Sequence, residues 1–188
     1  MIMRTIIFSL LFLLFSTTIS AQEKWFTKNG KVSFDATAAK SPENIKAVNN
    51  AVACVLESNN GSLQFAVLMQ GFVFEKALMQ EHFNENYVES SKHPKATFKG
   101  SIVNYSTVKL NTNGNYPVTV KGVFTLHGET KNIETTGNIN VSNGKLICTA
   151  DFNIALADYK INIPALVSNK IASQVKINLV ATLLPLNK

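Results

Sequence analysis

Chemistry in this 188-residue chain rests on few side chains: three histidines, two cysteines and scattered carboxylates. His82, His93 and His127 each offer an imidazole, which can move a proton near neutral pH or ligate a metal. No two of them stand two or four residues apart, the spacings that put a pair on one face for a shared ion. Asp151 and Asp158 are candidates for paired acid–base carboxylates, yet they flank a strand-like run in opposite phases and read as solvated surface. The sequence has no Gly-x-Ser-x-Gly elbow, no His-Glu-x-x-His helix and no phosphate-cradling glycine loop. A triad assembled from distant residues, as in a divergent metal-independent hydrolase, is the enzymatic arrangement this leaves open. Cys54 and Cys148 both fall in apolar, strand-like runs. A disulfide requires their α-carbons within about 7 Å; buried free thiols acting as small hydrophobes are the expectation.

The elements that must position these groups follow a period of two. Val32, Phe34 and Ala36 alternate with Lys31, Ser33 and Asp35. Val52, Cys54 and Leu56 share a face, and Asn59-Asn60-Gly61 then marks a hairpin turn before Leu63, Phe65, Val67 and Met69. Tyr116, Val118, Val120, Phe124 and Leu126 form another apolar face. After the Asn143-Gly144 turn, Leu146, Cys148, Ala150, Phe152 and Ile154 repeat the pattern, and Val175 to Leu183 closes the chain. With weaker runs near 96–105 and 131–141, about eight strands are predicted, each with one apolar face. Ser41-Pro42-Glu43 predicts a helical turn, residues 76–83 a short helix with an apolar side, and Pro164 a further turn. Eight antiparallel strands with one face to bury predict a barrel or two packed sheets. The interior of an eight-stranded barrel is either filled by side chains or holds one slender ligand.

Residues 1–21 read as a cleaved secretory signal peptide. Arg4 precedes the apolar stretch Ile6 to Phe15, and Ile19-Ser20-Ala21 forms a cleavage site ahead of Gln22. The apolar stretch is shorter than the roughly 20 residues of a spanning helix, and no later run is long and apolar enough. The expected mature domain is 22–188, periplasmic or secreted. Losing Arg4 leaves 17 basic against 12 acidic residues, a net charge of +5. The basic residues are scattered, without the stripe and interleaved aromatics of a nucleic-acid binder. The excess charge is compatible with transient contact at an anionic membrane surface.

Four blocks carry a family resemblance. They are Phe74-Glu-Lys-Ala-Leu-Met-Gln-Glu-His-Phe-Asn-Glu-Asn-Tyr87, His93-Pro-Lys-Ala-Thr-Phe-Lys-Gly100, Gly122-Val-Phe-Thr-Leu-His-Gly-Glu-Thr-Lys131 and Ala155-Leu-Ala-Asp-Tyr-Lys-Ile-Asn-Ile-Pro164. In order and spacing the chain resembles the YceI-like family of exported lipid-binding proteins, in the form common in Bacteroidetes. It departs at His93, where Tyr is usual before Pro94, and in the less aromatic first strand Val32-Ser-Phe-Asp35. The resemblance implies a mainly β fold: a single eight-stranded antiparallel lipocalin-like β-barrel with one or two short helices. It also implies a bound long-chain amphiphile, such as a polyisoprenoid or isoprenoid quinone, with no catalytic activity.

Such a guest needs an apolar lining, and burial stabilises it by about 25 cal/mol per Å². On the strands the lining is predicted to include Phe65, Val67, Met69, Phe72 and Phe74. Phe98, Phe124 and Phe152 follow later in the chain, and the helix adds Leu78, Met79 and Phe83. Methionines suit an irregular partner because they are unbranched and polarizable. His82 and His127, with His93 third, are the candidates for orienting a polar headgroup at the mouth. The alternative reading of the same alternation is a barrel filled by its own side chains, serving as an envelope stress or protein-interaction factor. A closed barrel has no free sheet edge, so partners would meet loops or the helix; a homodimer is left open.

Overall fold

The computed structural model describes residues 23–186, so the expected leader lies outside the described residues. The strands are β1 (Lys24–Thr37), β2 (Lys46–Glu57), β3 (Ser62–Leu68), β4 (Val73–Phe74), β5 (Lys95–Ile102), β6 (Gly114–Leu126), β7 (Glu129–Ser142), β8 (Lys145–Ala155) and β9 (Ile171–Pro185). One short helix, α1 (Ala77–His82), lies between β4 and β5. The order around the sheet is β1-β9-β8-β7-β6-β5-β3-β2, and an additional β1–β2 pairing closes the ring. Two-residue β4 is laid on the start of β2 at Ala47 and Val48. Eight long antiparallel strands therefore make a closed barrel, one of the two arrangements the period-two pattern allows and the one the family resemblance implies.

Turn chemistry sets the registers. Asn143 (φ 49°) and Gly144 (φ 69°) join Ser142 to its partner Lys145, the two-residue loop with positive φ at both centres. His127 (φ 51°) and Gly128 (φ 76°) form the same kind of loop between the paired Leu126 and Glu129. Gly100 and Gly122 face each other across β5 and β6, under the ring of Phe98. A β-carbon on Gly122 would lie 2.4 Å from the Lys99 carbonyl oxygen, so only glycine permits this approach. The β7–β8 ladder is short: it runs from Gly137↔Ala150 to Ser142↔Lys145. Earlier in β7, residues 129–136 pair with β6 alone, and residues 151–155 of β8 pair with β9 alone. The 3₁₀ turn Leu156–Tyr159 lies against β7 there, with Tyr159 buried.

The predicted helix at 76–83 is observed at Ala77–His82, continued by a π-turn at Phe83–Tyr87. The turn predicted after Pro164 is a 3₁₀ turn at Ala165–Val167. No helix starts at Ser41. Its hydroxyl instead donates to the Glu43 carbonyl at 2.7 Å and accepts from the Glu43 amide at 3.2 Å. The chain has no room to continue: Ala36 N–H already donates to the Ile45 carbonyl at 2.8 Å, which returns the backbone to the sheet.

The barrel interior is packed unequally along its axis. At one end Trp25, Leu56, Leu146 and Leu183 are all but fully buried and close the floor. Each such aliphatic side chain contributes about 1.5–3 kcal/mol by burial. A second cluster, around Val32, Met69, Phe72, Val88 and Tyr159, occupies the other end. Phe65, Phe124 and Leu179 pack against both clusters. Cys54 and Cys148 are free thiols in the first cluster. Burial, followed by the neighbouring Cys148, pushes Cys54 well up, and burial alone pushes Cys148 up to about 12.

Candidate functional site

Between the packed floor and the α1 end lies a cavity of about 340 Å³, within the range of small-molecule sites. Its lining is overwhelmingly apolar and draws on every long strand. Of the residues predicted to line it, Phe65, Val67, Met69, Phe72 and Phe74 do so from the β3–β4 region. Phe98, Phe124 and Phe152 line it from β5, β6 and β8, and Met79, His82 and Phe83 from α1 and the π-turn. Leu78 does not; it is 61% exposed on the outer side of α1. One residue turns a helix by about 100°, so the neighbour Met79 takes the inward position and Leu78 is carried out to solvent.

An aromatic group narrows the α1 end. The Phe34 ring lies 5.4 Å from Phe72, 5.7 Å from Phe74 and 5.5 Å from Phe83. Phe74 and Phe83 are 5.1 Å apart. Deeper in, Phe124 meets Phe152 at 6.5 Å and Tyr159 at 5.5 Å, both edge-on. The sequence reading left out Phe34, Val120, Ile133, Ile139, Ile177 and Leu179, all of which line the cavity. The signal was present, since each lies on an alternating apolar face; weighting aromatic and methionine residues hid the five aliphatic ones, while Phe34 was legible by that same weighting.

Polar groups are confined to particular places. Glu43, His82 and Lys170 are exposed residues on the cavity wall, so the cavity reaches solvent at the α1 end. Glu43 pairs with Lys76 at 3.2 Å, and His82 Nδ1 lies 3.0 Å from the Asn86 amide nitrogen. On the outer face of β7, the Asn138 amide donates to exposed Asn115 at 2.6 Å.

His127 and His93 are not part of this wall. His127 sits at the β6–β7 turn with its side chain 11% exposed, which corrects its expected place at the mouth. Its Nδ1 is 2.9 Å from the Tyr159 carbonyl oxygen and its Nε2 is 3.1 Å from Glu89 Oε2. The His93 ring meets the His127 ring edge-on at 4.7 Å. The fold thus brings together two histidines that lie far apart in sequence, with a glutamate that sequence reasoning missed. Glu89 also pairs with Lys92; hydrogen bonds from Lys92 and then His127 hold its carboxyl below the ordinary range.

Comparison with known proteins fits this architecture. A YceI-like domain model matches residues 13–183. No curated protein sequence matches the chain. Among solved structures, a polyisoprenoid binding domain from Saccharophagus degradans, implicated in plant cell wall breakdown, superposes with a TM-score of 0.73 at 16% identity. That match covers 87% of this chain and 98% of the other. Burkholderia cenocepacia BcnA gives a TM-score of 0.64 at 12% identity, over 82% and 95% of the two chains. A Campylobacter jejuni YCEI protein gives 0.60 at 15% identity, over 78% and 87%. At these identities the structures establish the shared barrel, and the domain match establishes kinship: the chain belongs to the YceI-like domain family.

Proposed function

We propose that this protein is an exported carrier that reversibly buries the apolar chain of an amphiphile, such as a polyisoprenoid or isoprenoid quinone, inside its barrel. One observation carries the reading: the packed floor stops short of the α1 end and leaves about 340 Å³ of apolar interior reaching solvent there. A barrel designed to be filled has no use for that space, since unfilled volume costs stability. The polyisoprenoid-binding neighbour supports the choice of guest, and the leader-like residues 1–21 support export. Binding has no covalent step. It draws on apolar area, and the polar rim of Glu43, His82 and Lys170 is left to meet the headgroup. Native mass spectrometry of protein purified without harsh detergent tests the reading. Co-purifying lipid, or uptake of added isoprenoid quinone, is expected. A uniformly guest-free spectrum with no uptake refutes it in favour of a self-filled core.

A further inference from the structure

Glu89 (φ 44°) and His127 (φ 51°) are two of the four non-glycine residues with positive φ among the described residues, and their side chains meet. Such backbone is held only where the surroundings over-determine it, and it collects at functional sites. The surroundings here are specific. The Tyr159 carbonyl oxygen only accepts, so the Nδ1 at 2.9 Å carries the ring hydrogen. Nε2 faces Glu89 Oε2 at 3.1 Å: a hydrogen on Nε2 makes this the hydrogen bond to the carboxylate, and without it the ring lone pair and the carboxylate oxygen both only accept. Two acceptors at this separation need a positive species bound to both.

His93 completes the set. The Glu89 carbonyl accepts from the Lys92 amide at 2.8 Å and the His93 amide at 2.9 Å, which folds the 89–93 loop back on itself. The His93 ring rests on Gly128, where a β-carbon would lie 2.8 Å from Cε1. One ligand atom from each of Glu89, His93 and His127 lies within 4.8 Å of the others. In tetrahedral zinc sites, bonds of about 2.0–2.2 Å put donor atoms about 3.3–3.6 Å apart. The Glu89–His127 edge is already close to that at 3.1 Å, and the His93 donor atom lies within 4.8 Å of both.

We propose that Glu89, His93 and His127 bind a divalent transition-metal ion of the zinc type. Two imidazoles and a carboxylate suit this ion class, and fixing a ligating imidazole through its other nitrogen by a backbone carbonyl is the usual supporting arrangement. Three protein donors leave a fourth position for water or an exchangeable ligand. Lys92 holds the other Glu89 oxygen, and the Lys160–Glu129 pair at 2.7 Å flanks the turn. The site is separate from the apolar cavity, although Val88 and Leu126, the chain neighbours of two ligands, line that cavity. It does not depend on the carrier reading.

The test uses the full chain without a histidine tag, stripped with EDTA and titrated with Zn²⁺ against a chromophoric chelator. One tight equivalent is expected, and Co²⁺ in its place gives visible d–d absorption of a low-coordinate N/O site. His127→Asn keeps a residue that accepts positive φ, and His93→Phe keeps a ring against Gly128. With the fold checked by circular dichroism, each weakens Zn²⁺ at least tenfold, the loss expected even for outer-shell changes. No stoichiometric Zn²⁺ binding by the wild type overturns the proposal. So does equal binding by both variants, or a His127 ring that stays protonated at both nitrogens by ¹⁵N NMR with Zn²⁺ present. That last result makes the cluster a proton-bridged clamp only.

Discussion

Phe124 offers the sharpest perturbation of the cavity, because its ring touches protein on one side and the cavity on the other. Its edge-on contacts to Phe152 at 6.5 Å and Tyr159 at 5.5 Å are lost in Phe124→Ala. Phe→Ala in a closed core costs about 3–5 kcal/mol, and a ring only partly enclosed by protein falls near about 3 kcal/mol on that scale. For a chain of this size that lowers Tm by about 6–12 °C. Added octaprenol at a hundredfold excess over its Kd stabilises the wild type by about 2.7 kcal/mol, a rise of about 5–10 °C. The alanine variant keeps a rise at least as large, because the guest fills the space the ring vacated. Phe124→Asp behaves differently: a guest must strip water from the new carboxylate and give nothing back, which is costly. Its lipid-induced rise disappears. The assay is thermal unfolding by circular dichroism with and without octaprenol, paired with native mass spectrometry of the folded variants. A folded Phe124→Asp protein with undiminished uptake takes Phe124 out of the guest's path. Absence of any lipid-induced rise in the wild type refutes the cavity as a guest site.

Two further outcomes follow from groups away from the cavity mouth. Burial holds the Cys148 thiol up at about 12 and Cys54 well above its usual value. Iodoacetamide at pH 8 therefore labels neither in the native state and both in denaturant, counted by intact mass; native labelling refutes the packed floor. Burial pushes the Asp35 carboxyl up, but hydrogen bonds from Thr37 and the Lys46 ammonium, at 3.0 and 3.1 Å, outweigh it and hold the group low. A depressed folded-state value means the stabilisation is present above the unfolded value of about 3.9 and lost as pH falls through the folded one. The pair is well exposed, so screening limits it to under about 1 kcal/mol. Asp35→Asn should lower Tm slightly at pH 7 and not at pH 2; an equal loss at both refutes the ionic account.

What could be read from the sequence was what repeats locally. Period-two faces such as Leu146-Cys148-Ala150-Phe152 and the Asn143-Gly144 turn carry their structure within a few residues; they give an antiparallel sheet with one covered face, and the family resemblance selects the barrel over two packed sheets. Side-chain direction on a six-residue helix does not: Leu78 and Met79 are adjacent and both apolar, and only packing against the Phe34–Phe83 group selects Met79. The predicted turn at Ser41 was overruled by sheet bonds made elsewhere, at Ala36 and Ile45. Glu89 was invisible for a stronger reason. It lies in an aperiodic loop, and its meaning comes from a partner 38 residues away. His127-Gly128 could be recognised as a tight turn, but not the loop it would face.

The short β7–β8 ladder has a mechanical consequence. β7 and β8, strands of 14 and 11 residues, meet over only six pairs, so this joint is fastened along only part of its length. Ile133 and Thr135 on one lip and Phe152 on the other line the cavity, so the interior runs up to that joint. The barrel is built like a cuff with an unfinished seam, closed by the buried Tyr159 turn rather than by backbone bonds. The two lips can part there without breaking a β7–β8 ladder bond, which would let the proposed guest be thicker than the cavity as it stands.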